Sequence, residues 1–133
     1  MSAPLLEVEN LKKYFTLNGD LINRIAGNTQ TLKAVDGISF HVNAGETLGL
    51  VGESGCGKST TGRLITRLIE PTEGNIRLKG ENLLAFDNTR MQSVRKEVQL
   101  VFQDPYSSLN PRKTIMQILG RPLEIHGLVT DWR

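Results

Sequence analysis

Eight consecutive residues, Gly52-Glu53-Ser54-Gly55-Cys56-Gly57-Lys58-Ser59, constrain what this chain can fold into more than any other feature. They match the phosphate-loop pattern G-x-x-x-x-G-K-[ST] without a mismatch. The pattern is a demand on backbone geometry. A polyphosphate is a dense anion, and a glycine-rich turn lets successive backbone N–H groups point inward around it. A lysine adds a point charge for the outer phosphates, and a hydroxyl can ligate the Mg²⁺ that bridges them. The helix that follows brings its positive dipole end to the same spot. Such a loop needs a strand ahead of it and a helix behind. Thr47-Leu48-Gly49-Leu50-Val51 is a short apolar run that predicts a buried strand. Leu64, Ile65, Leu68 and Ile69 recur at helical spacing and predict a helix that Pro71 stops. In a chain with 13 glycines, two at a fixed gap mean nothing alone. Strand, loop and helix in succession separate this motif from a flexible glycine turn.

Composition bounds the rest. At 133 residues the chain has room for one domain, 1–133, burying about two-thirds of its unfolded surface. Sixteen basic against fourteen acidic residues give +2, with no basic run, so nucleic acid is not an expected partner. No apolar run is long enough to span a membrane, and the first residues lack the basic and apolar regions of a secretory signal. The single cysteine excludes an internal disulfide and fits a reducing compartment.

Elsewhere the chain reads as short elements. Leu6 and Val8 alternate against Glu7 and Glu9, predicting a half-buried strand over 5–15 that ends at Tyr14-Phe15. Residues 16–32 turn polar and predict a surface loop. Ile38, Phe40 and Val42 predict a second strand, with His41 on its polar face, closed by Asn43-Ala44-Gly45. Ile76 and Leu78 alternate with Arg77 and Lys79 between two glycines, which predicts a short antiparallel strand with one wet face. Leu83-Leu84-Ala85-Phe86-Asp87 imitates a Mg²⁺-holding apolar strand. With no acidic residue after Asp87 and a turn expected at Glu81-Asn82, it reads as a surface segment. A short polar helix is expected over 88–96, then a strand covered on both faces over 98–103, then a break over 104–111. Thr114 with Gln117 forms a capping box for a last helix whose apolar stripe is Ile115, Ile118, Leu119 and Leu123.

Phosphate loop, small β segment and Val101-Phe102-Gln103-Asp104-Pro105, in that order, resemble the front part of an ABC transporter ATP-binding subunit. Lys33-Ala34-Val35-Asp36-Gly37-Ile38-Ser39-Phe40, the run from Gly49 through Thr60, and Asp104-Pro105-Tyr106-Ser107-Ser108-Leu109-Asn110-Pro111-Arg112 are similar to the ATPase subunits of bacterial dipeptide and oligopeptide importers. The resemblance implies an α/β P-loop NTPase of the ABC ATPase type. It would carry a small antiparallel β subdomain, an incomplete core sheet and a helical subdomain only begun. It implies ATP and Mg²⁺ as cofactors, held by Gly52, Glu53, Ser54, Gly55, Cys56, Gly57, Lys58, Ser59 and Thr60, with Thr60 reaching the α-phosphate. Ser59 and Gln103 would reach the metal, Lys58 and Gln103 would serve catalysis, and Tyr14 or Phe15 would stack on adenine. Cys56 stands at a variable loop position and reads as tolerated rather than catalytic, though open to alkylation. The implied partners are a second ABC ATPase subunit, identical or homologous, and transmembrane permease subunits. Transported solute would not be touched, and the location would be cytoplasmic, on the inner face of the plasma membrane.

The sequence departs from the family after Gln103. The Leu-Ser-Gly-Gly-Gln signature, the Walker B aspartate with its catalytic glutamate and the switch histidine have no counterpart, and His126 stands too early to be the last. The chain therefore reads as an N-terminal part of such a subunit, not expected to hydrolyse ATP alone. Two other readings stand beside it: a truncated remnant, and a P-loop NTPase unconnected with transport. A GTPase fails on the residues, since no aspartate has glycine three places on and no asparagine precedes lysine.

Overall fold

The computed structural model describes residues 3–17, 30–104 and 109–130. They fall into two units, 1–86 and 87–133, taken here one at a time.

The first unit is built on β1 (Leu6–Leu17), which pairs antiparallel with β2 (Gln30–Val42) on one side and β3 (Glu73–Leu78) on the other. A two-residue β4 (Glu81–Asn82) extends the sheet beyond β3, giving the order β2-β1-β3-β4. The alternation seen at Leu6–Val8 and Ile76–Leu78 is a real pleat, with Val8 and Ile76 buried opposite one another across the ladder. Strict alternation would put Val8 and Leu11 on opposite faces, yet both are buried, at 1% and 0% exposure. The reason is a bulge at Asn10, whose φ is +46°. Val8 pairs with Phe40 and Leu11 with Ile38, so β1 gains a residue and returns a second side chain to the core. Ser39 Oγ accepts from the Asn10 N–H at 2.8 Å, satisfying the donor that the bulge removes from the ladder. Gly74 makes this possible from β3: a Cβ there would meet the Glu9 and Asn10 carbonyls and Leu11 Cα at 2.5–2.7 Å.

Val35, Leu64, Ile76 and Leu83 complete this core with Val8 and Leu11. Each contributes roughly 1.5–3 kcal/mol by leaving water. Leu64 comes from α1 (Lys58–Ile65), the helix behind the glycine loop. It ends four residues before the periodicity predicted. Thr66 Oγ1 donates to the Gly62 carbonyl at 3.0 Å, Arg67 takes φ +50°, and the Arg67 and Leu68 N–H groups return to Leu64 O and Arg63 O. That is a Schellman ending with arginine at the position glycine usually holds. The Arg67 guanidinium offsets the strain by donating to Leu83 O at 3.0 Å, Phe86 O at 2.6 Å and Glu70 at 2.8 Å. The decoy Leu83–Ala85 is a 3₁₀ turn with Leu83 buried, and the turn expected at Glu81-Asn82 lies one step earlier, at Lys79-Gly80.

In the second unit, Asp87 caps α2 (Asn88–Val94), its carboxylate accepting from Arg90 N at 2.7 Å. Helix α3 (Ile115–Ile125) begins with the expected capping box between Thr114 and Gln117. Gln92 Nε2 and Lys96 Nζ donate to the Ile125 and His126 carbonyls at 2.8 and 3.4 Å, tying α2 to the end of α3. The predicted apolar stripe is there but not sheltered: Ile115 is 76% and Leu119 65% exposed.

Three expectations are corrected. The polar stretch 16–32 is not a loop throughout, because β1 runs to Leu17 and β2 starts at Gln30; residues 18–29 lie outside the described set. Residues 47–51 are not a strand, and neither are 98–103. A strand is defined by its neighbour, and among the described residues none of the four strands pairs with either segment. Val51 is 95% and Val101 85% exposed where burial was expected. Finally, of the segment 104–111, residues 105–108 lie outside the described set.

Candidate functional site

The loop 52–59 is a turn closed on itself and seated against β2. Cys56 N–H donates to Glu53 O at 3.3 Å, and the chain passes through Gly55 at φ +84° and Gly57 at φ +97°. Two of the glycines also stand close to neighbours, one to a side chain and one to backbone. A Cβ on Gly52 would stand 2.5 Å from Cys56 Sγ, and one on Gly57 would run into the Ala34 carbonyl of β2. Gly57 is also the N-cap of α1, and no side chain caps the helix there. The first intrahelical bond runs from Thr61 N to Gly57 O at 2.8 Å, so the N–H groups of Lys58, Ser59 and Thr60 have no carbonyl one turn back. Three donors at the positive end of a helix are a site for an anion. Thr61 fixes this end from inside: it is buried, and its hydroxyl donates to Gly57 O at 3.0 Å.

Lys58 is half-buried, and its ammonium lies back over the turn. It donates to Gly52 O at 2.7 Å and Glu53 O at 2.6 Å, with Cys56 Sγ at 3.4 Å. The charge is thus held at the mouth of the turn. Ser59 is exposed on the first turn of α1 and Thr60 is half-buried beside it. Glu53, Ser54, Gly55 and Cys56 form the exposed crest of the loop. The donor set suits a triphosphate with Mg²⁺: three N–H groups without a helical carbonyl, one ammonium and one accessible hydroxyl at the helix start.

Tyr14 and Phe15 lie near the far end of β1, opposite Lys33 and Leu32 of β2. Ala34, the residue against Gly57, is therefore two positions from Phe15's partner. The two rings differ in their engagements. Tyr14 donates its hydroxyl to Asp36, whose other oxygen takes Lys33 Nζ at 3.2 Å, and the same lysine sits 5.3 Å over the Tyr14 ring. The bond to Tyr14, then the one to Lys33, holds the Asp36 carboxyl below its ordinary value, and the same bond raises the Tyr14 phenol. Lys12, bonded to Glu73 at 2.7 Å, is raised as well. Phe15 is 37% exposed, with Lys13 Nζ 5.1 Å from its centroid. Asp36, Thr61 and the Ala34 carbonyl were not foreseen as parts of the site. They act through backbone contact and cross-strand register, which no local motif encodes.

Gln103 belongs to the second unit and is exposed there. Among the described residues no cluster of three or more histidine, cysteine or carboxylate side chains could hold a metal ion.

A profile of the ABC transporter family matches residues 35–130, which take in the loop, Gln103 and α3. The chain belongs to the ABC transporter family. The oligopeptide transport ATP-binding protein AppF of Bacillus subtilis is 50% identical over 127 residues, covering 95% of this chain and 38% of that protein. The dipeptide transport ATP-binding protein DppF of Haemophilus influenzae is 49% identical over 125 residues, 94% of this chain and 37% of its own. The glutathione import ATP-binding protein GsiA of Escherichia coli K12 is 45% identical over 95% of this chain and 20% of its own. This ABC chain thus spans little more than a third of the length of AppF and DppF. Among solved structures, the dimeric ATP-binding cassette MJ0796 bound to ADP and Pi covers 90% of this chain and 47% of its own, with TM-score 0.71 and 24% identity. That likeness is one of fold, and it bears out the expected ABC ATPase class with an antiparallel β part. No described helix of this ABC chain is long and apolar enough to cross a membrane.

Proposed function

We propose that the chain is the nucleotide-holding part of an ABC importer ATPase for dipeptides or oligopeptides, and that residues 52–59 bind Mg·ATP. The observation that carries this reading is the loop: two glycines at positive φ, no room for a Cβ at Gly57, and an ammonium gathered at the mouth of an uncapped helix. The peptide class rests on the names of AppF and DppF, each about half identical to this chain. When bound, Mg·ATP supplies the phosphoanhydride whose cleavage drives the machine. The chain's own residues bind and orient it. Backbone N–H groups of 57–60 face the phosphates, Lys58 neutralises the outer charge, Ser59 offers its hydroxyl to the metal, and Phe15 or Tyr14 takes the base. Gln103 would meet Mg²⁺ or the attacking water once the full site is assembled. The partners are a second ATPase subunit and membrane permeases, on the cytoplasmic side.

No residue here matches the family's catalytic glutamate, so the chain by itself holds nucleotide without turning it over. A remnant that folds only in part is the second reading, favoured by 47–51 and 98–103, which among the described residues pair with no strand and leave Val51 and Val101 exposed. Calorimetric titration of Mg·ATP into the chain and into Lys58→Ala tests the first. Affinity should fall at least tenfold in the variant. A loss within about threefold, roughly 0.65 kcal/mol, means Lys58 is not at the phosphates.

A further inference from the structure

The aromatic end of β1 carries an arrangement that the phosphate loop does not explain. Lys13 is half-buried and its ammonium is anchored: Nζ donates to the Glu70 carbonyl at 2.7 Å, just beyond the turn that ends α1. From there it stands 5.1 Å from the Phe15 centroid. A cation at that distance over a ring face is a favourable cation–π contact. Residues i and i+2 share a strand face, so the lysine covers one side of its own neighbour but one.

Phe15 and Tyr14 are both candidates for the base, and the contacts separate them. Tyr14 is held at its hydroxyl by Asp36 and at its backbone N–H by Thr72 Oγ1 at 3.0 Å. Its ring is already paired with Lys33 inside that polar cluster. The Phe15 ring meets the Lys13 ammonium and is 37% exposed. Its ladder partner Leu32 is two residues from Ala34, whose carbonyl abuts Gly57 at the end of the phosphate loop. At about 3.3 Å per residue, that is about 7 Å along β2. A base stacked on Phe15 and a phosphate at Gly57 are therefore within the span of one nucleotide.

We propose that Lys13 is a positioning residue for nucleotide binding: pinned by the Glu70 carbonyl, it fixes the Phe15 ring and leaves one face open for a purine. This rests on the reading that 52–59 holds ATP. Lys13 acts through the ring and touches no phosphate. Its effect should appear on the base and not on the polyphosphate.

The test titrates the 133-residue chain with Mg·ATP and, separately, with Mg·tripolyphosphate, which carries the phosphates without a base. Lys13→Met should weaken Mg·ATP about two- to fivefold and leave tripolyphosphate unchanged. Lys13→Arg, whose guanidinium also packs on rings, should restore wild-type affinity. Phe15→Leu should weaken Mg·ATP at least as much, and adding Lys13→Met to it should cost nothing further. Equal losses of Mg·ATP and tripolyphosphate in Lys13→Met would overturn the proposal, since a bulk-charge or folding effect does not distinguish them. Additive losses in the double variant, or unchanged Mg·ATP affinity in Phe15→Leu, would overturn it too. Wild-type chain that binds neither probe refutes the phosphate-loop reading and this inference together. Binding both equally refutes base stacking alone.

Discussion

Consider Gly57→Ala, a change of one methyl group at the hinge between loop and helix. Two terms oppose it. At φ +97° an L-residue stands in the left-handed region, costing about 1–2 kcal/mol. The new Cβ would also overlap the Ala34 carbonyl, which belongs to β2 and cannot rotate aside. Making room means moving strand or loop backbone, at about 1–3 kcal/mol. The sum is about 2–5 kcal/mol, against a typical total of about 4–13 kcal/mol for a unit of this size. Gly55→Ala is the control: φ is +84° but nothing lies within 4 Å, so only the first term applies. Amide hydrogen exchange of the core positions in β1 and β3 reads the difference, each tenfold acceleration marking about 1.4 kcal/mol of lost opening free energy. Gly57→Ala should be worse than Gly55→Ala by about 1–3 kcal/mol, and Mg·ATP affinity should fall with it. Equal destabilisation by the two, within about 0.5 kcal/mol, would mean that the loop is not seated on β2 and the clash argument is wrong.

Other outcomes follow from the same contacts. In the wild-type chain, amides of 47–51 and 99–103 should exchange at nearly unstructured rates while β1 and β3 are protected, and no phosphate should be released from ATP; protection of both segments, or Lys58-dependent hydrolysis, would contradict this. With these residues carried in a full-length ABC ATPase, Gln103→Ala should lower turnover more than ATP affinity; a tenfold affinity loss with turnover unchanged would remove its assigned role. The Tyr14–Asp36 bond sets two pH limits. Asp36, held below the usual carboxylate value of about 3.9, adds stability that is present above that value and lost as pH falls through its depressed one. Tyr14, raised above about 10, adds stability present below that value and lost as pH rises through its elevated one. Asp36→Asn should flatten the acid limb of a stability–pH curve, and an unchanged acid limb would show that the bond does not form in solution.

What the sequence disclosed was what is local. The loop 52–59, the box at Thr114 and Gln117 and the pleat at Ile76 and Leu78 each depend on residues within a few positions of one another. Asp87 is local in the same way, its carboxylate capping the helix that begins at the next residue, whereas the segment ahead of it, expected at the surface, buries Leu83. The ends of β1 and β2 were hidden because that part of the ribbon is wet, with Thr16, Gln30, Thr31 and Leu32 all exposed, so no alternation marks it. Arg67 disguised the end of α1, since arginine at a left-handed cap needs the distant Leu83 and Phe86 carbonyls to hold it. The apolar runs at 47–51 and 98–103 carry a preference for burial that the structure does not meet, with Val51 95% and Val101 85% exposed. Whether it becomes a strand depends on a neighbour that no residue within the run can specify.

The bulge at Asn10 bears on which changes of length the chain can absorb. It turns β1 half a step out of phase with itself, so that Val8 before it and Leu11 after it both serve the same core. Residues past that point, the two aromatics among them, keep their facing only while the count is preserved. Insertions and deletions are ordinarily cheap at loop tips and ruinous in strands. Here part of that sensitivity originates at Asn10, because one residue added or lost between Val8 and Leu11 would exchange inside for outside in the stretch that follows, whose register against β2 shifts again after Leu11 and after Lys13. The spacing of this strand is thus as much a part of the proposed nucleotide site as the identity of its side chains.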